Sequence, residues 1–115
     1  MAKPTTAGQL KHRLSFRSPV SVPDGYGGTT DGFAEQFVVS ARRQFLRGSE
    51  AVQAARLEGR QPVILTVRRS PDTETITTDW QAVDAREGTA YQIRSVEPTE
   101  DRAWLDMLCE SGVAQ

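Results

Sequence analysis

Alternating hydrophobic and polar positions dominate the chain and predict strands more often than helices. In residues 10–17 the side chains of Leu10, His12, Leu14 and Phe16 share one face, and basic or hydroxyl side chains occupy the other. A period of two with one largely apolar face is typical of a half-buried strand. The same alternation, or a run of β-branched residues, predicts further strands at 35–46, 62–69, 75–83 and 90–96.

One segment has a helical pattern instead. Ser49 is a candidate N-cap, Glu50 lies in the first turn, and Gly59 is placed to end the helix. Residues 49–58 are therefore predicted as a short helix that lies against a sheet or closes a barrel end, with Ala51, Ala54, Ala55 and Leu57 on its covering side.

Residues 103–110 allow two interpretations. Leu105, Met107 and Cys109 alternate as in a strand, whereas Trp104 and Leu108, four positions apart, would share one face of a helix. We favour the strand, because the neighbouring strands need a partner to close the sheet.

A glycine-rich segment separates the first two predicted strands. Its central part, VPDGYGGTTDGF at residues 22–33, holds four glycines, a proline, two aspartates and two aromatic residues. It lacks the pattern of a phosphate-binding loop, and a strand rather than a helix follows it. Connections longer than about 12 residues tend to be functional or disordered. We expect a loop that orders on meeting another subunit, with a mobile surface loop as the alternative; the candidate contact residues are Asp24, Gly25, Tyr26, Gly27, Gly28 and Phe33.

These elements predict a mainly β fold in one domain. A chain of 115 residues suits a single domain with a modest core. Short strands at close spacing with one helix indicate a small antiparallel β-barrel or sandwich of about six strands. The helix is expected around 49–58 and a long glycine-rich loop around 18–33, with residues 1–8 and 111–115 as flexible ends.

The charge balance argues against a protein that mainly grips nucleic acid. The chain has 14 basic and 15 acidic residues, for a net charge of −1, whereas phosphate binding usually requires a clear positive excess. A single cysteine excludes an internal disulfide and favours a reducing compartment. The N-terminus lacks the apolar core of a signal peptide, and no apolar run approaches the roughly 20 residues that span a bilayer. We expect a soluble protein made in the cytoplasm.

No catalytic, cofactor or metal site is indicated by the residues. His12 lies on the apolar side of a strand, and Cys109 lies among apolar neighbours without a local basic partner, so neither has the setting of nucleophilic catalysis. One histidine and one cysteine in separate strands cannot supply a zinc site. The acidic residues Asp72, Glu74 and Asp79 are too irregular for a calcium loop.

Six stretches, taken in order, resemble a known family. They are AGQLKHRLSF, PDGYGGTTDGF, VVSARRQFLRGSEAVQAARLEG, PVILTVRRSPDTETITTDWQAV, GTAYQIRSVEP and DRAWLDMLCESG. Together their order and spacing resemble the phage head-tail joining proteins, also called head-tail adaptor, stopper or head-completion proteins. Phe33 stands where many relatives carry tryptophan, and Trp80 stands where a smaller or basic residue is more usual.

The resemblance implies a non-enzymatic β-barrel that assembles as a homo-oligomeric ring, of six subunits in preference to twelve, in a phage, prophage or gene transfer agent particle. A portal or adaptor ring would lie above it and tail proteins below, with double-stranded DNA passing through without sequence-specific binding and no membrane involved. The loop would contact a neighbouring ring or constrict the DNA channel. Glu50 and Arg56 are candidates for pairing between subunits.

An alternative function is an OB-like module that binds single-stranded nucleic acid. In that case Trp80, Tyr91 and the arginines would form a surface for base stacking and phosphate contact. This alternative predicts salt-sensitive binding to oligonucleotides.

Overall fold

Six antiparallel strands form one closed sheet in the computed structural model, which describes residue 8 and residues 10–100 and 102–112. The strands are β1 His12–Pro23, β2 Thr29–Phe45, β3 Gln61–Arg68, β4 Gln81–Asp84, β5 Ala90–Pro98 and β6 Trp104–Ser111, with one helix, α1 Glu50–Leu57, between β2 and β3. Their order around the sheet is β1-β2-β3-β6-β5-β4, and pairing of β1 with β4 closes the barrel. The predicted mainly β fold, and a strand at the ambiguous C-terminal segment, are confirmed.

The barrel interior is filled by the side chains that the alternating pattern assigned to one face. On β3 and β6 these are Val63, Leu65 and Val67 and, facing them, Leu105, Met107 and Cys109, all buried. Leu14 and Phe16 of β1 and Tyr91 and Ile93 of β5 complete most of this core. Burial of each large apolar side chain contributes about 1.5–3 kcal/mol, so the core is the main source of stability.

Arg43 is an exception on the inward-facing side of β2. Its Nη1 donates to the Tyr91 hydroxyl and to Glu87 Oε2, both at 3.2 Å, and its guanidinium lies 4.8 Å from the centre of the Phe45 ring. Burial opposes the charge on Arg43, but these hydrogen bonds outweigh it and raise the pKa of the guanidinium. Arg43 thereby closes one end of the barrel and satisfies the hydroxyl of buried Tyr91.

We expect the Arg43 and Tyr91 side chains to be energetically coupled. Arg43→Met keeps the aliphatic stem but leaves the Tyr91 hydroxyl without this partner, and should lower the free energy of unfolding by about 1–3 kcal/mol. Tyr91→Phe should cost about 1 kcal/mol. In urea denaturation the double variant should lose less than the sum of the two, by at least about 0.5 kcal/mol; strictly additive losses would contradict the coupling.

The helix begins as the sequence predicts. Ser49 has an extended backbone, and its Oγ accepts a hydrogen bond from the Val52 N–H at 3.1 Å. Ala55 is the buried residue of α1, whereas Ala51, Ala54 and Leu57 are exposed, so the expectation that these three are covering residues is wrong. For Ala55 and Leu57 the helix geometry gives the reason. The two residues are separated by about 200° around the helix axis, which places them on different sides.

Two segments differ from the sequence prediction. The predicted long loop at 18–33 is wrong, because β1 and β2 remain paired from Ser18 with Ala34 to Pro23 with Thr29, and only residues 24–28 form the connection. The predicted strand at 75–83 is also shorter, since β4 begins at Gln81. Residues 73–75 form a 3-10 turn instead, because the Thr73 hydroxyl donates to the Arg68 carbonyl at 2.8 Å and accepts from the Ser70 N–H at 2.8 Å.

The predicted flexible ends largely lie outside the described residues. Ser111, which was assigned to the C-terminal end, is instead the last residue of β6 and pairs with Gln61 and Tyr91.

Candidate partner-contact surfaces

The paired ends of β1 and β2 project from the barrel as a hairpin arm, here residues 18–34. β4 pairs with β1 only as far as Arg17, and β3 pairs with β2 only from Ala41 onward, so neither neighbour accompanies the arm. The radius of gyration is 15.1 Å, against about 13 Å for a compact chain of this length. The described residues therefore form a closed barrel from which one long hairpin projects.

The tip of the arm is held by Asp24. Its Oδ1 accepts hydrogen bonds from the Tyr26 N–H at 2.7 Å and the Gly28 N–H at 3.1 Å, and its own N–H donates to the Gly28 carbonyl at 3.1 Å. Gly25 and Gly27 both have φ of +85°, a conformation that other residues rarely adopt. We expected these glycines to make the segment flexible, but the structure uses them to form a defined, hydrogen-bonded turn.

Three exposed apolar side chains lie on the arm. Tyr26 at the tip is 95 % exposed, and Val22 and Phe33 along the arm are 44 % and 39 % exposed. An open cleft of about 720 Å³ runs along its base, lined by residues 19–21, 31–33 and Gln81. Isolated exposed apolar residues are ordinary, but several on one protrusion indicate a contact surface. The predicted contact residues Tyr26 and Phe33 therefore both lie on one accessible arm.

The two edges of the arm differ in their capacity to pair with another strand. The hydrogen bond between Asp24 and Gly28 fixes the alternation of the ladder, so Pro19 and Pro23 occupy positions whose nitrogens point away from β2. Because proline has no N–H, the outer edge of β1 lacks two of its donors there. This arrangement protects that edge from pairing with other strands.

The arm has no basic residue, and its acidic residues are Asp24 and Asp31. A surface of this charge repels phosphates rather than binding them. The arm is therefore suited to contact protein, or to lie near DNA without holding it.

The helix places the two predicted inter-subunit residues on an exposed surface. Glu50 and Arg56 are both exposed, and among the described residues neither forms an ion pair within the chain. Leu57, which follows Arg56, is 90 % exposed and lies beside Gln53 and Arg56 in a shallow cleft. Sequence reasoning missed Leu57, because an apolar residue in a short helix was assumed to face the sheet.

Asp84 closes the barrel end near His12. Its Oδ1 accepts hydrogen bonds from the N–H groups of Arg86 and Glu87, both at 2.8 Å, and its Oδ2 lies 3.8 Å from His12 Nδ1. Burial alone would raise the pKa of this carboxyl, but the two N–H groups and the charges of His12 and Arg43 outweigh it and lower the pKa. These contacts give Asp84 a structural role.

The other residue considered for reactivity, Cys109, is also a structural residue. Burial raises the pKa of the Cys109 thiol to about 12, which keeps it protonated and unreactive at neutral pH. No three His, Cys, Asp or Glu side chains of the described residues come together as a possible metal site. In the same part of the chain, no helix is both long and apolar enough to span a membrane.

The prediction of a base-stacking surface, made for the nucleic-acid-binding alternative, is wrong. Tyr91 is only 2 % exposed, and Trp80 is half-buried with its ring 5.8 Å from that of Phe37. Base stacking needs an accessible ring face, which buried Tyr91 does not provide. The closed sheet also has six strands, whereas an OB-fold has five.

Comparison with known proteins identifies the family. The model of the family described as phage head completion protein matches residues 5–112. The chain belongs to the phage head completion protein family. This confirms the resemblance seen in the sequence, and a head completion protein is a structural protein of the phage particle, located at the head-tail region.

Solved structures share the fold of this head completion protein. The solution structure of a protein from Shigella flexneri 2a has 18 % sequence identity and a TM-score of 0.70, and the alignment covers 96 % of this chain and all of that one. A chain of the virion of a native gene transfer agent particle has 19 % identity and a TM-score of 0.61, with 97 % of this chain and all of that one covered. No curated protein sequence matches the chain.

Proposed function

We propose that this head completion protein is a connector that forms a ring between the portal or adaptor of a DNA-filled head and the tail. The observation that carries the proposal is the hairpin arm: an ordered protrusion with exposed Val22, Tyr26 and Phe33, on a barrel whose own core is complete. Because the family belongs to the phage particle, the proposed partners of the arm are the neighbouring proteins of that particle. The particle is a phage or, as in one structural neighbour, a gene transfer agent.

The proposed ring is a homo-oligomer, with six subunits in preference to twelve. Identical subunits around an axis meet through two different surfaces, and a closed rotation gives a ring. The chain offers two separate exposed surfaces, the arm and the outer side of α1 with Glu50, Arg56 and Leu57. Portal or adaptor proteins would bind one side of the ring and tail proteins the other.

The proposed channel lets double-stranded DNA pass without sequence-specific binding. The acidic arm supports this, because a lining with few cations does not retain phosphates. In this arrangement the residues 24–28 at the tip, with Phe33, either contact the neighbouring ring or narrow the channel. The protein acts through shape and contact, without catalysis.

Deletion of the gene in the phage, prophage or gene transfer agent that carries it tests the proposal. We expect DNA-filled heads and free tails to accumulate, with completed particles restored when the full chain is supplied in trans. Electron microscopy counts the head and tail forms, and mass spectrometry of purified particles locates the protein. Completed particles at the normal yield without the protein would overturn the proposal.

A further inference from the structure

The two ends of the barrel carry opposite charge. The start of β1, the end of β2 with α1, and the turn between β4 and β5 lie at one end, here called the helix end. The hairpin arm and the connections after β3 and β5 lie at the opposite end, here called the arm end. A net charge of −1 for the whole chain conceals how its charges are distributed between these ends.

The charged residues of the described chain are divided unevenly between the two ends. The helix end, residues 11–13, 42–60, 84–87 and 110, has eight basic and five acidic side chains, for a net charge of +3. The arm end, residues 17–35, 68–80, 97–100 and 102, has four basic and eight acidic side chains, for a net charge of −4.

Part of this charge is not neutralised within the chain. At the helix end, Arg43 and Arg60 pair with glutamates, whereas Lys11, Arg13 and Arg86 have no carboxylate partner among the described residues. These three side chains belong to one region, because the Ala85 N–H donates to the Arg13 carbonyl at 2.9 Å and Lys11 directly precedes β1, two residues before Arg13.

The arm end presents the complementary charge. Asp31 lies on the exposed arm and has no basic partner among the described residues. Asp24 uses its carboxylate to hold the turn but still contributes negative charge.

Exposed apolar side chains concentrate at the same two ends. Of the six large hydrophobic residues that are exposed in the described chain, Val22, Tyr26 and Phe33 are on the arm, and Phe45 and Leu57 are at the helix end. Only Leu108 lies on the barrel wall. Charge complementarity therefore coincides with two apolar surfaces that the described residues leave exposed.

We propose that the hairpin arm of one copy docks against the helix end of the next copy, head to tail. A second copy is the partner because both complementary surfaces belong to the same chain, at opposite ends, as a heterologous contact requires. A contact between two arms, or between two helix ends, would bring like charges together and is therefore unfavourable. This contact lies within one ring and replaces the two roles proposed above for the arm, contact with a neighbouring ring or narrowing of the channel. The inference rests on the proposed function for the closure of these contacts into a ring.

Charge-reversed variants test this contact. The arm variant carries Thr29→Lys and Asp31→Lys and keeps Asp24, whose carboxylate forms the turn. The end variant carries Lys11→Glu and Arg86→Glu. All four positions are exposed, and none of the four side chains makes an ion pair among the described residues, so both variants should fold.

Sedimentation velocity at low salt and up to millimolar protein gives the readout. We expect the wild-type chain to self-associate more weakly as salt is added, and each variant alone to lose about tenfold or more in affinity, which corresponds to about 1.4 kcal/mol. An equimolar mixture of the two variants should regain pairwise association of wild-type affinity, because the unchanged arm of the end variant then meets the unchanged helix end of the arm variant. Leu108→Lys, on the barrel wall, should change nothing. A wild type that stays monomeric, or a mixture no better than its components, overturns the inference.

A second experiment separates this inference from the proposed function. In the particle, either variant should block completion. One chain carrying all four substitutions should restore it, because the net charge of the arm changes from −2 to +1 while that of the helix end changes from +3 to −1. If each variant blocks completion and the chain with all four substitutions does not restore it, the arm meets a different protein. That result overturns the head-to-tail contact. The gene deletion described above tests the connector function independently.

Discussion

Replacing the hairpin arm with a two-residue turn should give a folded barrel that no longer completes particles. The replacement substitutes Asn-Gly for residues 19–33, joining Ser18 to Ala34, which lie directly opposite each other in the register. Asn-Gly favours the type I′ turn that closes a two-residue hairpin. Completed particles should fall to the level of the gene deletion, measured by infectivity or DNA delivery.

The barrel should survive this replacement because the arm adds nothing to the buried core. The core cluster includes Leu14, Phe16 and Ala41 from the barrel parts of β1 and β2, but no residue of 18–34. A shorter connection also costs less entropy to close. We expect the free energy of unfolding to change by less than about 1 kcal/mol, measured by urea denaturation.

Single substitutions separate a specific arm contact from a general surface effect. Phe33→Ser on the arm and Leu108→Ser on the barrel wall remove side chains of nearly equal exposure, 39 % and 38 %. Phe33→Ser should reduce particle completion, whereas Leu108→Ser should not. Equal effects of the two, or full activity of the chain without its arm, would show that the arm is not the partner surface.

Local pattern was sufficient to predict most strands of the barrel but not the arm, and it left a barrel and a sandwich as alternatives. Alternation in residues 90–96 predicted the strand β5, since period two is a property of neighbouring residues. In the structure Tyr91 and Ile93 form its buried face. In residues 18–33 the glycines and prolines suggested a loop, yet Pro19 and Pro23 occupy edge positions where a strand tolerates them. That tolerance depends on pairing with β2, which composition alone does not specify.

Only part of the candidate surfaces could be predicted from the sequence, because the rest also depends on how the elements pack. Tyr26 and Phe33 were recognised as contact candidates because aromatic residues in a polar, glycine-rich segment have no local core to join. Leu57 was not recognised, since its exposure depends on which side of α1 faces the barrel. The opposite charges of the two ends also required the strand order, because residues far apart in sequence share each end.

Removing the Asp84 carboxylate should lower the free energy of unfolding more than any other single substitution of a polar side chain at the helix end of the barrel. Asp84→Ala removes the acceptor of two short N–H hydrogen bonds, from Arg86 and Glu87, and leaves those donors without it. Hydrogen bonds to charged groups contribute about 1.5–3 kcal/mol each, so we expect a loss of about 3 kcal/mol at pH 7. Asp84→Asn keeps an oxygen acceptor and should lose less. Asp31→Asn, at an exposed aspartate without such bonds, should have almost no effect.

The pH dependence of these variants distinguishes the charge of Asp84 from its shape. The pKa of Asp84 is lowered in the folded chain, so the unfolded chain, with a pKa of about 3.9, binds the proton first as the pH falls. The stabilisation by Asp84 is therefore complete above about pH 5 and is lost as the pH falls through the folded pKa. In urea denaturation from pH 7 to pH 3, the wild type should lose stability faster than Asp84→Asn, and their difference should narrow. A difference that stays constant over this range would show that the carboxylate charge does not contribute, and would leave only the geometry of the turn to explain the effect of Asp84→Ala.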